Sequence, residues 1–85
     1  MFSRDLLLKE LKSYVIEFTL KDKQTVRLTL KEDLMPEDYQ QTKTIVEDYH
    51  NSNTTKIGAW CLRPAIGWKI IDVNNITYTQ IIDNY

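Results

Sequence analysis

Residues 68–82 read WKIIDVNNITYTQII. Two apolar runs, residues 68–73 and 76–82, flank the pair Asn74-Asn75. Both runs carry the β-branched and aromatic residues that suit a pleated, half-buried surface. Asparagine tolerates positive φ better than most residues, so the pair reads as a two-residue hairpin turn. That turn sets Val73 opposite Ile76 and Ile71 opposite Tyr78 on one face, and Asp72 opposite Thr77 on the other.

Upstream, residues 57–62 (IGAWCL) form another strand. It is separated from the next by RPAIG, where Pro64 lacks a donor and Gly67 permits unusual backbone angles. Nearer the N-terminus, Tyr14, Ile16, Phe18 and Leu20 alternate with Val15, Glu17, Thr19 and Lys21. Val26, Leu28 and Leu30 alternate in the same way with Arg27, Thr29 and Lys31, and KDKQ lies between the two runs. Period two on both sides of a polar turn predicts a β-hairpin with one buried face, on which Tyr14 is included.

Two segments change period. Ser3 is placed to cap a short helix over residues 4–12, with Asp5 at the positive end of its dipole and Leu7, Leu8 and Leu11 on one face. A helix so short forms only by docking on something apolar. Pro36 fits the first position of a second helix, followed by Glu37 and Asp38. Its expected buried stripe is Met35, Tyr39, Thr42, Ile45, Val46 and Tyr49, and the polar run HNSNTT, residues 50–55, ends it. The order is α-β-β-α-β-β-β. The fold class is α+β, a five-stranded, mostly antiparallel sheet or small open barrel packed by one main helix.

Eighty-five residues make one domain, residues 1–85. A chain of this size buries only about 60–65% of the surface that its unfolded form exposes, so large apolar side chains are assigned to packing before function. The last three strands nevertheless carry more apolar surface than one sheet face can use. Trp60 and Leu62 alternate with Ile57, Ala59 and Cys61, and Ile70 and Ile71 point to opposite faces, as do Ile81 and Ile82. A strand apolar on both sides is covered on both sides. Three arrangements satisfy this: a curled barrel with the N-terminal helix plugging an end, a second copy of the chain, or a different protein seated on the outer face.

Eleven basic residues against twelve acidic ones give a formal net charge of −1, and the signs are interspersed. Dedicated nucleic-acid or membrane-surface binders concentrate one sign. One cysteine permits no internal disulfide, which points to a reducing, cytoplasmic setting. The leucine run near the N-terminus is broken by Lys9 and Glu10, too short and charged for a signal segment or membrane span.

No catalytic constellation emerges. Cys61 lies within an apolar strand pattern, far in sequence from the single histidine, His50, and reads as a buried hydrophobe. One Cys and one His give no zinc spacing, and two glycines cannot build a phosphate loop. Glu37-Asp38 and Glu47-Asp48 are neighbours on a helix and diverge by about 100°. No cofactor, metal or small-molecule substrate is expected. The expected role is a non-enzymatic cytoplasmic interaction module, a homodimer or a binder of another protein, using Trp60, Arg63, Trp68 and Tyr78. The alternative is a nucleic-acid-binding domain that stacks bases on Tyr14, Trp60 or Trp68, with Arg27, Lys31, Arg63 and Lys69 on phosphates.

Overall fold

The computed structural model describes residues 3–82. Helix α1 spans Arg4–Leu11, and the Ser3 hydroxyl accepts a 3.4 Å bond from the Leu6 N–H, as its sequence signature anticipates. Its apolar stripe is put to use inside the domain: Leu7 and Leu11 are buried, Leu11 completely. The last carbonyl of a helix has no partner within it. Here the Leu11 carbonyl accepts from the Leu30 N–H at 2.8 Å and from the Thr29 hydroxyl at 3.5 Å, which fastens α1 to the sheet.

Strands β1 (Val15–Leu20) and β2 (Thr25–Thr29) form the expected hairpin, with Ile16 opposite Leu28 and Phe18 opposite Val26 in the core. Glu17 and Arg27 face each other on the outside, and the Arg27 Nε donates to the Glu17 carboxylate at 2.9 Å. Tyr14 falls just before β1 and is exposed, so the inward row begins at Ile16 instead.

A 3-10 turn, Glu32–Leu34, precedes helix α2, Tyr39–Ser52. The expected start at Pro36 is displaced: Pro36 opens a turn whose carbonyl accepts from the Tyr39 N–H, and the helix begins there. At the other end the helix runs through His50, Asn51 and Ser52 rather than stopping before them. Arg4 supplies the reason. Its guanidinium donates to the His50 carbonyl and, at 3.0 Å, to the Lys56 carbonyl, satisfying one orphan acceptor of the last turn with a cation suited to that end.

Strands β3 (Lys56–Arg63), β4 (Gly67–Asp72) and β5 (Ile76–Ile82) complete a five-stranded sheet of order β4-β3-β2-β1-β5, every ladder antiparallel. β3 and β4 pair without interruption, Ile57 opposite Ile71 and Trp60 opposite Trp68. Gly67 opens β4 at φ +151°, a region that side-chain-bearing residues rarely adopt.

The reading of residues 68–82 as a hairpin is overturned. β5 pairs with β1, from Val15 opposite Ile82 to Leu20 opposite Ile76, and lies at the sheet edge away from β4. Residues Val73–Asn75 form a second 3-10 turn, capped by the Asp72 carboxylate on the Asn74 N–H at 2.8 Å. In a flat sheet the two edge strands stand about 19 Å apart, four spacings of about 4.8 Å. From Asp72 to Ile76 the chain takes four steps, which reach about 14 Å at most. The sheet therefore curls until its edges approach, and the turn is tied at both ends: the Val73 N–H donates to the Thr55 carbonyl and the Lys21 N–H to the Asn75 carbonyl, each at 2.8 Å. Within the curl lie Ile16, Phe18, Val26, Leu28, Ile57 and Ile71, closed by Leu7 and Leu11 of α1 and by Val73 and Ile76. The result is a curled sheet that stays open, with no ladder between β4 and β5 among the described residues.

The helices divide their work unequally. α2 contains no buried residue, and Ile45, expected in its buried stripe, is 68% exposed. Leu11→Ala is expected to cost about 2–5 kcal/mol in urea unfolding, and Ile45→Ala less than about 0.5 kcal/mol. A larger loss from Ile45→Ala would reverse these roles.

Candidate interaction surface

Directly opposed residues on paired strands share a face, so the β3–β4 register sorts this hairpin into two sides. Ile57, Ala59, Cys61 and Ile71 point inward and are buried. Gly58, Trp60, Trp68 and Ile70 point outward. α2 crosses the outer side at Gly58, where a missing side chain makes room for an aromatic ring: a Cβ built on Gly58 meets Tyr49 Cε1 at 3.4 Å and Ile70 at 3.6 Å. The helix therefore covers β3 but stops short of β4.

What it leaves is an apolar groove of about 240 Å³ between α2 and β4, walled by Ile45 and Tyr49 on one side and Trp68 and Ile70 on the other. Ile70 is 58% exposed and Trp68 43%. Trp60 is half-buried and packs against the core; its ring meets that of Trp68 edge-on, centroids 5.5 Å apart and planes at 83°. The two tryptophans thus form one unit, with Trp60 as the footing and Trp68 as the exposed part.

The other two expected contact residues stand apart. Arg63 is exposed at the end of β3, opposite Arg27, and its carbonyl accepts from the Cys61 thiol at 2.9 Å. Tyr78 is 59% exposed on β5, opposite Thr19, on the other edge strand from the groove. Sequence reasoning passed over Ile45, Tyr49 and Gly58 as surface elements. Ile70 did carry a signal, since its neighbour Ile71 claims the inner face. The cations considered for nucleic acid are dispersed: Arg27 is held by Glu17, Lys31 lines a cleft beside α1, and Lys69 faces inward opposite Ala59.

That second cleft, about 740 Å³, lies between α1, the turn after β2, and α2. Its charges alternate in sign: Lys12, Lys31 and Lys43 against Glu32, Asp33 and Glu47, with Lys43 and Glu32 paired at 4.0 Å. Burial raises the pKa of the Tyr39 phenol there, and the Glu32 and Glu47 carboxylates add to the rise against the opposing Lys43. Among the described residues no group of three or more His, Cys, Asp and Glu side chains is placed to hold a metal ion, and no helix is long and apolar enough to cross a membrane. Cys61 is buried inside the core.

His50 joins α2 to β3. Its Nε2 lies 2.8 Å from the Gly58 carbonyl oxygen and 3.3 Å from the Gly58 nitrogen, and its ring meets Tyr49 edge-on at 5.7 Å. Burial lowers its pKa below the ordinary imidazole value; the Gly58 carbonyl opposes this, and the Arg4 and Lys12 cations reinforce it. Comparison of the chain with protein-family models, curated proteins and solved structures found no match.

The His50 shift fixes a sign. Below the unfolded value of about 6.5 the unfolded chain takes up a proton that the folded chain resists, so stability rises with pH there. Thermal melts are expected to hold steady above that value and fall as the pH drops from it toward the lower folded value. In His50→Gln that fall is expected to flatten, since the chain has one histidine. The Tyr49 hydroxyl is buried without a hydrogen-bond partner among the described residues. Tyr49→Phe removes a desolvated polar group of about 1–3 kcal/mol and is expected to raise the melting temperature; a lowered one would reveal a partner for the hydroxyl.

Proposed function

We propose that this chain is a non-enzymatic, self-associating interaction module whose contact surface is the outer face of β4 with the adjoining groove beneath α2. One observation carries this reading: Trp68 and Ile70 are exposed side by side on an edge strand, next to Ile45 across the groove. Contiguous apolar exposure marks contact sites, and aromatic anchors dominate their energetics. Trp60 beneath Trp68 holds that anchor in one orientation, so little side-chain freedom is left to lose on contact.

A second copy is favoured as the occupant because the exposed row accompanies a strand with one backbone edge unpaired among the described residues, and a two-fold contact needs only one such surface. The interspersed charges and net charge of −1 leave two copies with little mutual repulsion. The buried thiol and the histidine already engaged at Gly58 suit a binding role better than catalysis. A lone, unbridged cysteine fits a reducing, cytoplasmic setting.

Light scattering over a wide concentration range is expected to give a mass rising toward twice 10.1 kDa. Ile70→Lys, at an exposed position, is expected to return the chain to a monomer while circular dichroism and melting stay unchanged. A dimer indifferent to Ile70→Lys would place the contact elsewhere. A monomer at every concentration would leave the face to a different protein.

A further inference from the structure

We infer that two copies of this chain join by antiparallel pairing of their β4 strands, with Ile70 of one copy opposite Ile70 of the other. The inference rests on the reading that the outer face of β4 is a self-association surface, and it specifies how the copies meet.

The two sheet edges differ. β5 pairs with β1 through a register shift at Thr19/Leu20, and the Thr77 hydroxyl there is turned back onto the Thr19 carbonyl at 3.0 Å. Bulges of this kind twist an edge away from further pairing. β4 has no such defence in its geometry. Its ladder with β3 runs from Gly67 to Asp72 without a shift, and no proline interrupts those residues. Its far side presents a straight row of backbone donors and acceptors beside the exposed Trp68 and Ile70.

Pairing two identical strands antiparallel about a two-fold axis leaves few registers. Opposed residues must point to the same side, so Trp68 and Ile70 continue the outer face only where outward residues meet outward residues. Two central registers meet that condition. In one, Lys69 lies directly opposite the second copy's Lys69, and like charges directly opposed are unfavourable. In the other, Ile70 opposes Ile70, Lys69 opposes Ile71, and Trp68 opposes Asp72. Trp68 then lies diagonal to the second copy's Ile70, within reach of an aromatic side chain. The inward-facing lysine, which in isolation blunts the edge, thus selects the register. Exposed apolar side chains from both copies form one continuous outer row.

Oxidative cross-linking reads the register directly. Opposed residues in an antiparallel ladder have Cα atoms about 4.5–5.5 Å apart, within disulfide reach. Ile70→Cys, which keeps Lys69, is expected to link into a covalent dimer several-fold more completely than Trp68→Cys, which the register sets opposite Asp72; the wild-type chain, whose sole thiol is buried, serves as the blank. Ile70 is exposed, so its replacement does not disturb the core. Preferential linking through Trp68→Cys would overturn the register. If light scattering shows a dimer that Ile70→Lys abolishes but neither cysteine links, the strand pairing is wrong while the contact face stands. A dimer untouched by Ile70→Lys, or a monomer throughout, overturns this inference together with the self-association on which it rests.

Discussion

Between Asp72 and Ile76 the chain passes from one edge of the sheet to the other, and three residues are all that it has for the passage. The successive antiparallel ladders make β4 and β5 run in the same direction, so a flat sheet would also require the chain to travel back along a strand before starting β5. Curling meets both demands together. Once the sheet is curled, the inner faces of β1, β2 and β3 confront one another and a small chain obtains a core without layering a large helix over a flat face. The bonds from Val73 to Thr55 and from Lys21 to Asn75 bring together segments that flank different strands.

The curl also explains the allocation of the helices. An interior formed by a rolled sheet has room at an open end for a short apolar plug, and α1 fits because Leu7 and Leu11 stand one turn apart. Thr29 tightens that junction by bonding the connector from α1 to β1 as well, its hydroxyl 3.3 Å from the Tyr14 carbonyl. α2 lies along the outside of the curled sheet, with Tyr39 and Val46 packed against the core cluster. It is held there by the Tyr49 ring over Gly58, by His50 on the same residue and by Arg4 at its final turn. The Tyr49 and His50 contacts both fall on Gly58 of β3, and β4 keeps a bare outer face.

Much of this architecture was legible in the sequence. The hairpin of β1 and β2 follows from strict alternation around KDKQ, and α1 from Ser3 and its leucines. The β4–β5 connection was misread because a short link with two asparagines satisfies either a hairpin turn or a 3-10 crossing; the choice depends on whether Ile76 finds Leu20 or Val73, a tertiary matter. The apolar surplus of the last strands was visible, and its explanation is divided: Ile71 enters the core, whereas Ile70 and Trp68 remain outside. Tyr78 could not be separated from them by pattern alone, since strand order decides which edge a residue occupies. Ile45 has the spacing of a core residue, but it stands over the groove beside β4 and is exposed.

The ladder between β1 and β5 joins the beginning of the described chain to its end, as in the pairing of Val15 with Ile82. Contacts so distant in sequence form late, because a long loop must close before any bond repays its ordering. Until β5 arrives, β1 keeps an open backbone edge beside Ile16 and Phe18. The nascent chain therefore passes through an interval in which β1 offers a template to neighbours, and the speed with which residues 76–82 dock sets how long that exposure lasts.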